Sequence, residues 1–238
     1  MVYTFLIGLL LGLRHALDAD HLAAVASLAT RSRSTGETVR TGLAWGIGHT
    51  LTLFVVCAAV LVMDVGFPEN VAQVAELAVG LMLIGLGIDV VRRALAKRVH
   101  LHGHTHDEDG YHLHLHSHRG EGAHADSPHA HRHPAGLPGR ALLVGLMHGL
   151  AGSAALLLLA VTEHGEVLAG LVYVALFGVG SMIGMAALSF TIALPLRASA
   201  RYAAWGVNGA NLAIGAGTAA LGGYVVFETA PGVMALFA

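Results

Sequence analysis

The chain has 238 residues, 55% of them hydrophobic and only 12% charged, with a mean hydropathy of +0.67. A soluble domain carries about 25% charge, so this composition excludes a water-coated globule. A net charge of −2 with a pI near 6.8 excludes the basic surface a nucleic-acid partner requires, and a single cysteine, Cys57, excludes an intrachain disulfide. A bilayer core about 30 Å thick needs about 20 apolar residues per helix. Six runs qualify: 3–29, 42–63, 71–91, 140–161, 167–194 and 203–227. The prediction is an all-α integral membrane protein of six transmembrane helices, rich in glycine because small residues let helices approach in lipid.

The first span has no basic start and continues through Arg14, His15, Asp18, Asp20 and His21, which argues against a cleaved signal peptide. Ionisable groups in a span cost about 2.5 to 3.5 kcal/mol each on insertion scales, so five of them predict a functional site. Imidazole and carboxylate suit borderline divalent ions such as Ni²⁺, Co²⁺ and Zn²⁺, whereas copper(I) would want sulfur. Arg14 is a poor cation ligand and is predicted to orient Asp18 or Asp20. At about 100° per residue, a straight helix cannot aim Asp20 and both histidines at one ion. Either the span is unwound near its centre, as transporter helices are at their sites, or some groups act from behind the ligands.

The second span adds Gly48-His49-Thr50. The pattern H-x4-D-H, set in Arg14-His15-Ala16-Leu17-Asp18-Ala19-Asp20-His21, followed by Gly48-His49-Thr50, resembles the two signature motifs of the nickel/cobalt transporter (NiCoT) family. The resemblance covers the membrane portion. Typical members have eight spans with the signature on the second; here it is on the first, and the acidic motif of longer members is not evident in a later span. This is similar to the short branch associated with urease maturation. The resemblance implies a nickel or cobalt permease in which His15, Asp20, His21 and His49 carry recognition. Cytoplasmic nickel chaperones or urease accessory proteins are the partners it suggests.

Between the third and fourth spans lies the histidine-rich segment, with twelve of the 17 histidines between His100 and His133. They are His100, His102, His104, His106, His112, His114, His116, His118, His124, His129, His131 and His133. With too few apolar residues for a core, the segment is predicted to be a disordered cytoplasmic loop that binds metal at several weak, exchanging sites. No cysteine is available for a structural zinc site. The domain organisation that follows is 1–98, a first three-helix repeat; 99–139, the loop; and 140–238, a second three-helix repeat.

In the later spans, Gly145 to Leu150 parallels Gly12 to Leu17, Phe177 to Ser181 parallels Trp45 to His49, and Gly215 to Val226 parallels Gly80 to Val91, at offsets of 133, 132 and 135. Each half has an odd number of spans, so the halves are predicted to form a 3+3 inverted repeat with the substrate site where they meet. Counted from Arg31, Arg40 and Arg140, His21, His49 and His148 reach one level roughly 12 to 15 Å deep, and His15 with Asp18 form a layer nearer the outside. Asn208 and Asn211, one turn apart, are accessory candidates whose commoner role is interhelical hydrogen bonding.

Alternating the connections sorts the charges. Arg31, Arg33, Arg40, Arg92, Arg93, Lys97, Arg98, Arg119, Arg132, Arg140, Arg197 and Arg201 fall on one side; Asp64, Glu69, Glu163, Glu166 and Glu228 fall on the other, without Lys or Arg. The positive-inside rule then places the loop in the cytoplasm and both termini outside an inner (plasma) membrane. The predicted function is transport of Ni²⁺ or Co²⁺, with metal as cargo, no catalytic residue and no prosthetic group. Uptake gains roughly 4.6 kcal/mol per 100 mV for a divalent ion and is favoured by the resemblance. The alternatives are efflux by proton antiport, a zinc or manganese carrier, and, from another class, a membrane metalloenzyme whose histidine boxes hold iron.

Overall fold

The apolar runs form helices, because a backbone in lipid must satisfy its own hydrogen bonds. The computed structural model describes residues 2–32, 34–63, 68–96, 100–106, 110–116, 138–151, 167–202 and 204–236. Among the described residues the helices are α1 (Val2–His15), α2 (Ala19–Ala29), α3 (Thr35–Met63), α4 (Glu69–Ala96), α5 (Gly139–Ala151), α6 (Val167–Tyr202) and α7 (Ala204–Ala235). Four stretches, Thr35–Met63, Glu69–Ala96, Val167–Pro195 and Gly206–Ala235, are long and apolar enough to cross a membrane, while α1, α2 and α5 are shorter. Leu10, Leu51, Val55, Leu81 and Ile183 are all more than half exposed. Apolar surface of this extent marks contact with lipid or a partner, and with the long apolar helices it makes the protein membrane-embedded.

Two differences from the predicted elements have physical causes. The span predicted over 3–29 is two helices: α1 ends at His15, Ala16 and Leu17 form a turn, and Asp18 is extended at φ −62°, ψ 149° as the N-cap residue of α2. The segment predicted to be without regular structure pairs in part, β1 (His100–His106) lying antiparallel to β2 (Gly110–His116) with His100 opposite His116, His102 opposite His114 and His104 opposite His112. Histidine at every second residue is a strand pattern, and that periodicity outweighs the low apolar content. The fourth predicted span is described only as far as Ala151.

Glycines set how the helices meet. Along α1 and α6, Gly8 touches Tyr173, Gly12 touches the backbone of Phe177 and Gly184 that of Leu13, so the two run parallel. Along α3 and α5, Gly145 touches the backbone of Trp45 and Gly149 that of His49, again parallel. A methyl group at Gly12 or Gly145 would collide with the opposing carbonyl, so nothing larger than glycine fits. α3 lies antiparallel to α6, with Gly42 against Ser189 and Thr50 against Gly178, and the Thr50 hydroxyl donates to the Gly178 carbonyl at 3.1 Å. α4 lies antiparallel to α7, with Gly80 against Gly222 and Gly87 against Gly215. One core cluster, containing Ala16, Ala24, Trp45, Leu83 and Met185, ties α2 to its neighbours; a second gathers Leu53, Cys57, Tyr173, Val174 and Phe177.

At one end of the bundle a single carboxylate gathers three arginines. Asp89 on α4 accepts from Arg31, which follows α2, at 2.6 and 2.7 Å, and from Arg93 at 3.1 Å, with Arg140 on α5 at 3.7 Å. Above this knot the buried hydroxyls of Ser27 and Thr218 share a hydrogen bond of 2.9 Å, joining α2 to α7.

Candidate metal site

The break at Asp18 builds the site. Because Asp18 is extended, α2 starts in a new direction, and its carboxylate is free to accept from His15 Nδ1 at 2.8 Å instead of capping α2. Two residues on, the Asp20 carboxylate accepts from three donors: His21 Nδ1 at 2.9 Å, the His21 backbone N–H at 2.9 Å, and His148 Nε2 of α5 at 2.8 Å. An ionised carboxylate only accepts, so each paired ring nitrogen carries the proton. The lone pair is thereby left on His15 Nε2, His21 Nε2 and His148 Nδ1, all buried and without a partner among the described residues. Carboxylates that fix imidazole tautomers in this way are the arrangement behind metal-binding histidines.

His49, on α3, completes the cluster. It is fully buried with neither ring nitrogen hydrogen-bonded. Ring centroids lie 4.4 Å apart for His15 and His21, 4.4 Å for His21 and His148, 5.1 Å for His21 and His49, and 5.4 Å for His15 and His49. Two overlapping ligand sets result, His15 with His21 and His49, and Asp20 with His21 and His148, each offering donor atoms within 4.8 Å of one another. His21 belongs to both. The expected two layers are thus one cluster: six residues along a straight helix would separate His15 from His21 by about 9 Å, and the break folds that distance away.

Not every predicted group joins it. Arg14 is exposed, and both carboxylates take histidines as partners, so its expected role as their orienting group is not what the structure places there. Asn211 is buried and Asn208 partly buried on α7, and neither lines the cavity beside the cluster. His118, His124, His129, His131 and His133 lie outside the described residues; the other seven loop histidines occupy β1 and β2.

A cavity of about 540 Å³ leads to the cluster. Buried His21 and His148 line it together with exposed Asp18, Glu76, Tyr224 and Glu228. The sequence reading passed over Glu76, took Glu228 only as a charge on the outer side, and missed Trp45, whose buried ring packs 5.2 Å from His21 and 5.5 Å from His148. A signal for Glu76 existed, since it stands inside the predicted third span, where a carboxylate calls for the same question asked of Asp20.

A family model described as "High-affinity nickel-transport protein" matches residues 1–200. The chain belongs to that family. The match contains all six predicted ligands and the helices that carry them. The chain is also 31% identical over 200 residues to the urease accessory protein UreH of Bacillus sp. (strain TB-90), covering 82% of this chain and 78% of that one. No solved structure matches. Membership in the nickel-transport family corrects one alternative outright: the iron-dependent membrane enzyme is set aside, because the family moves metal and does not catalyse.

Proposed function

We propose that this nickel-transport family member takes up Ni²⁺, with Co²⁺ as a second cargo, through the cluster of His15, Asp20, His21, His49 and His148. The observation that carries the reading is the set of tautomer-fixed imidazoles, each with a buried free nitrogen, on the wall of a cavity. Such a set is wasteful as structural glue, since every orphaned nitrogen costs desolvation with no hydrogen bond in return. A divalent ion arriving from the cavity satisfies several of them at once. Imidazole with carboxylate, and no thiolate, matches nickel and cobalt in ligand softness.

The architecture we propose is six spans in a 3+3 inverted repeat. α1 and α2 together form the first span, and α5 opens the fourth. The helix contacts support this reading. Exchanging span 1 with 4, 2 with 5 and 3 with 6 turns the α1 and α6 contact, Gly12 on Phe177, into the α5 and α3 contact, Gly145 on Trp45, and leaves the antiparallel pairs α3 with α6 and α4 with α7 mapped onto themselves. His15 and His148 are then counterparts, and each packs its ring 4.4 Å from that of His21.

The arginine-rich end is read as cytoplasmic by the positive-inside rule. In this arrangement the molecule is open toward Glu76 and Glu228 and shut on the cytoplasmic side by the Asp89 knot and the Ser27 and Thr218 pair. The membrane potential favours entry of a divalent ion by roughly 4.6 kcal/mol per 100 mV. The histidine hairpin on the cytoplasmic side then acts as a sink, and urease accessory proteins or nickel chaperones are candidate recipients. Proteoliposomes with a potential negative inside test the reading: nickel accumulation is expected, and accumulation only under an outward-directed proton exchange would favour export.

A further inference from the structure

The cavity carries carboxylates that the metal cluster does not use. Glu76 lies seven residues inside α4 and Glu228 seven residues from the end of α7, each roughly 10 Å in at 1.5 Å per residue. The antiparallel contacts of the two helices, Gly80 with Gly222 and Gln73 with Gly232, bring Glu76 and Glu228 to the same level. Charged groups so far along spanning helices are expensive against lipid and are placed where water reaches them. Here that place is the cavity, which both residues line with Asp18 and Tyr224, and no Lys or Arg lines it among the described residues. Neither glutamate has an ion-pair partner among the described residues. The same cavity is lined by His21 and His148, 1% and 2% exposed, whose Nε2 and Nδ1 are unpartnered.

We infer that Glu76 and Glu228 form an outer capture station for divalent cations, from which the ion passes to the histidine cluster. This inference rests on the proposed transport through that cluster. Its chemistry differs from the inner site in a way that can be read. Oxygen donors alone suit Mg²⁺, Ca²⁺ and Mn²⁺ and set nickel apart from them only weakly, whereas imidazoles discriminate toward nickel and cobalt. Capture is therefore unselective and selection happens one step deeper. A cleft lined by one sign of charge with low-dielectric walls raises the local concentration of the opposite ion by 10- to 1,000-fold.

The test is initial nickel uptake into proteoliposomes against free Ni²⁺, with and without millimolar Mg²⁺, for wild type, Glu76→Gln, Glu228→Gln, the double variant, and Glu76→Asp with Glu228→Asp. The double Gln variant should raise the apparent KM at least tenfold, most of its loss lying in KM and not in the maximal rate. Mg²⁺ should raise the wild-type KM and leave that of the double Gln variant nearly unmoved. The Asp pair, which keeps the charge, should recover most of the affinity and separates a lost charge from a misfolded helix. An apparent KM within twofold of wild type in the double Gln variant, or equal Mg²⁺ sensitivity in both proteins, overturns the inference. Wild-type vesicles that take up no nickel would instead overturn the transport reading on which it rests.

Discussion

Replacing Asp20 by Asn keeps the side chain's shape and changes one oxygen into an NH₂ group. In the structure both carboxylate oxygens are used, Oδ1 by His21 and Oδ2 by His148, at 2.9 and 2.8 Å. The amide can accept from only one of these imidazoles. The other must turn its lone pair toward the NH₂ and move its proton to the opposite nitrogen, which is the one left free for metal. One imidazole of the cluster is thus withdrawn, and the negative charge that raised the basicity of both is removed. Loss of an outer partner of a metal-binding histidine costs about 10- to 100-fold in affinity, or about 1.4 to 2.7 kcal/mol. A loss well beyond 100-fold would mean that the carboxylate also touches the ion. Nickel titration calorimetry on the purified protein in nanodiscs, with the 100–133 segment deleted to silence the loop, reads the number directly. A dissociation constant within threefold of wild type would refute the tautomer argument.

Gly12→Val and Gly145→Val should each lower the melting temperature in detergent by the equivalent of about 1 to 3 kcal/mol of overpacking, because the added side chain meets the Phe177 or Trp45 carbonyl; Gly85→Ala, which meets open space, is the control and should not. Asp89→Asn leaves Arg31, Arg93 and Arg140 without their shared counter-charge. The variant should melt earlier than wild type and recover with added salt, which screens the repulsion; a melting temperature independent of salt would contradict the knot's electrostatic role. Deleting residues 100–133 should preserve transport and alter only apparent affinity or regulation, and complete loss in a correctly inserted protein would make the hairpin part of the pathway. Imidazoles ordinarily titrate near 6.5, so metal held by the isolated loop peptide should be released as pH falls through that value, protons competing for the same lone pairs.

The residues that gather in the cluster were legible because burial in lipid leaves ionisable groups few reasons to exist: Asp20, His21, His49 and His148 stood out against an apolar background, and counting from the span-end arginines put the three histidines side by side, as their ring contacts have them. What periodicity could not supply was direction. The single extended residue Asp18 turns α2 away from α1, and one φ,ψ pair of that kind leaves no mark on a hydropathy pattern. It brings His15 onto His21 and hands Asp18 and Asp20 to histidines, so imidazoles hold these carboxylates where Arg14 was expected to. The hairpin was visible as an alternation and was discounted on composition. What the sequence could not show for Glu76 and Glu228 is that they share a level across α4 and α7, which the glycine contacts of those helices reveal.

The central claim is that nickel crosses through the histidine cluster, and His21 is the one residue common to both ligand sets. Radioactive nickel flux into sealed proteoliposomes at a fixed inside-negative potential, wild type beside His21→Ala, tests it most directly. The account predicts accumulation in wild type that scales with the potential, and no flux above protein-free vesicles for His21→Ala, although the variant inserts and migrates as wild type in size-exclusion chromatography. Near-wild-type flux through His21→Ala would mean that the ion takes another route.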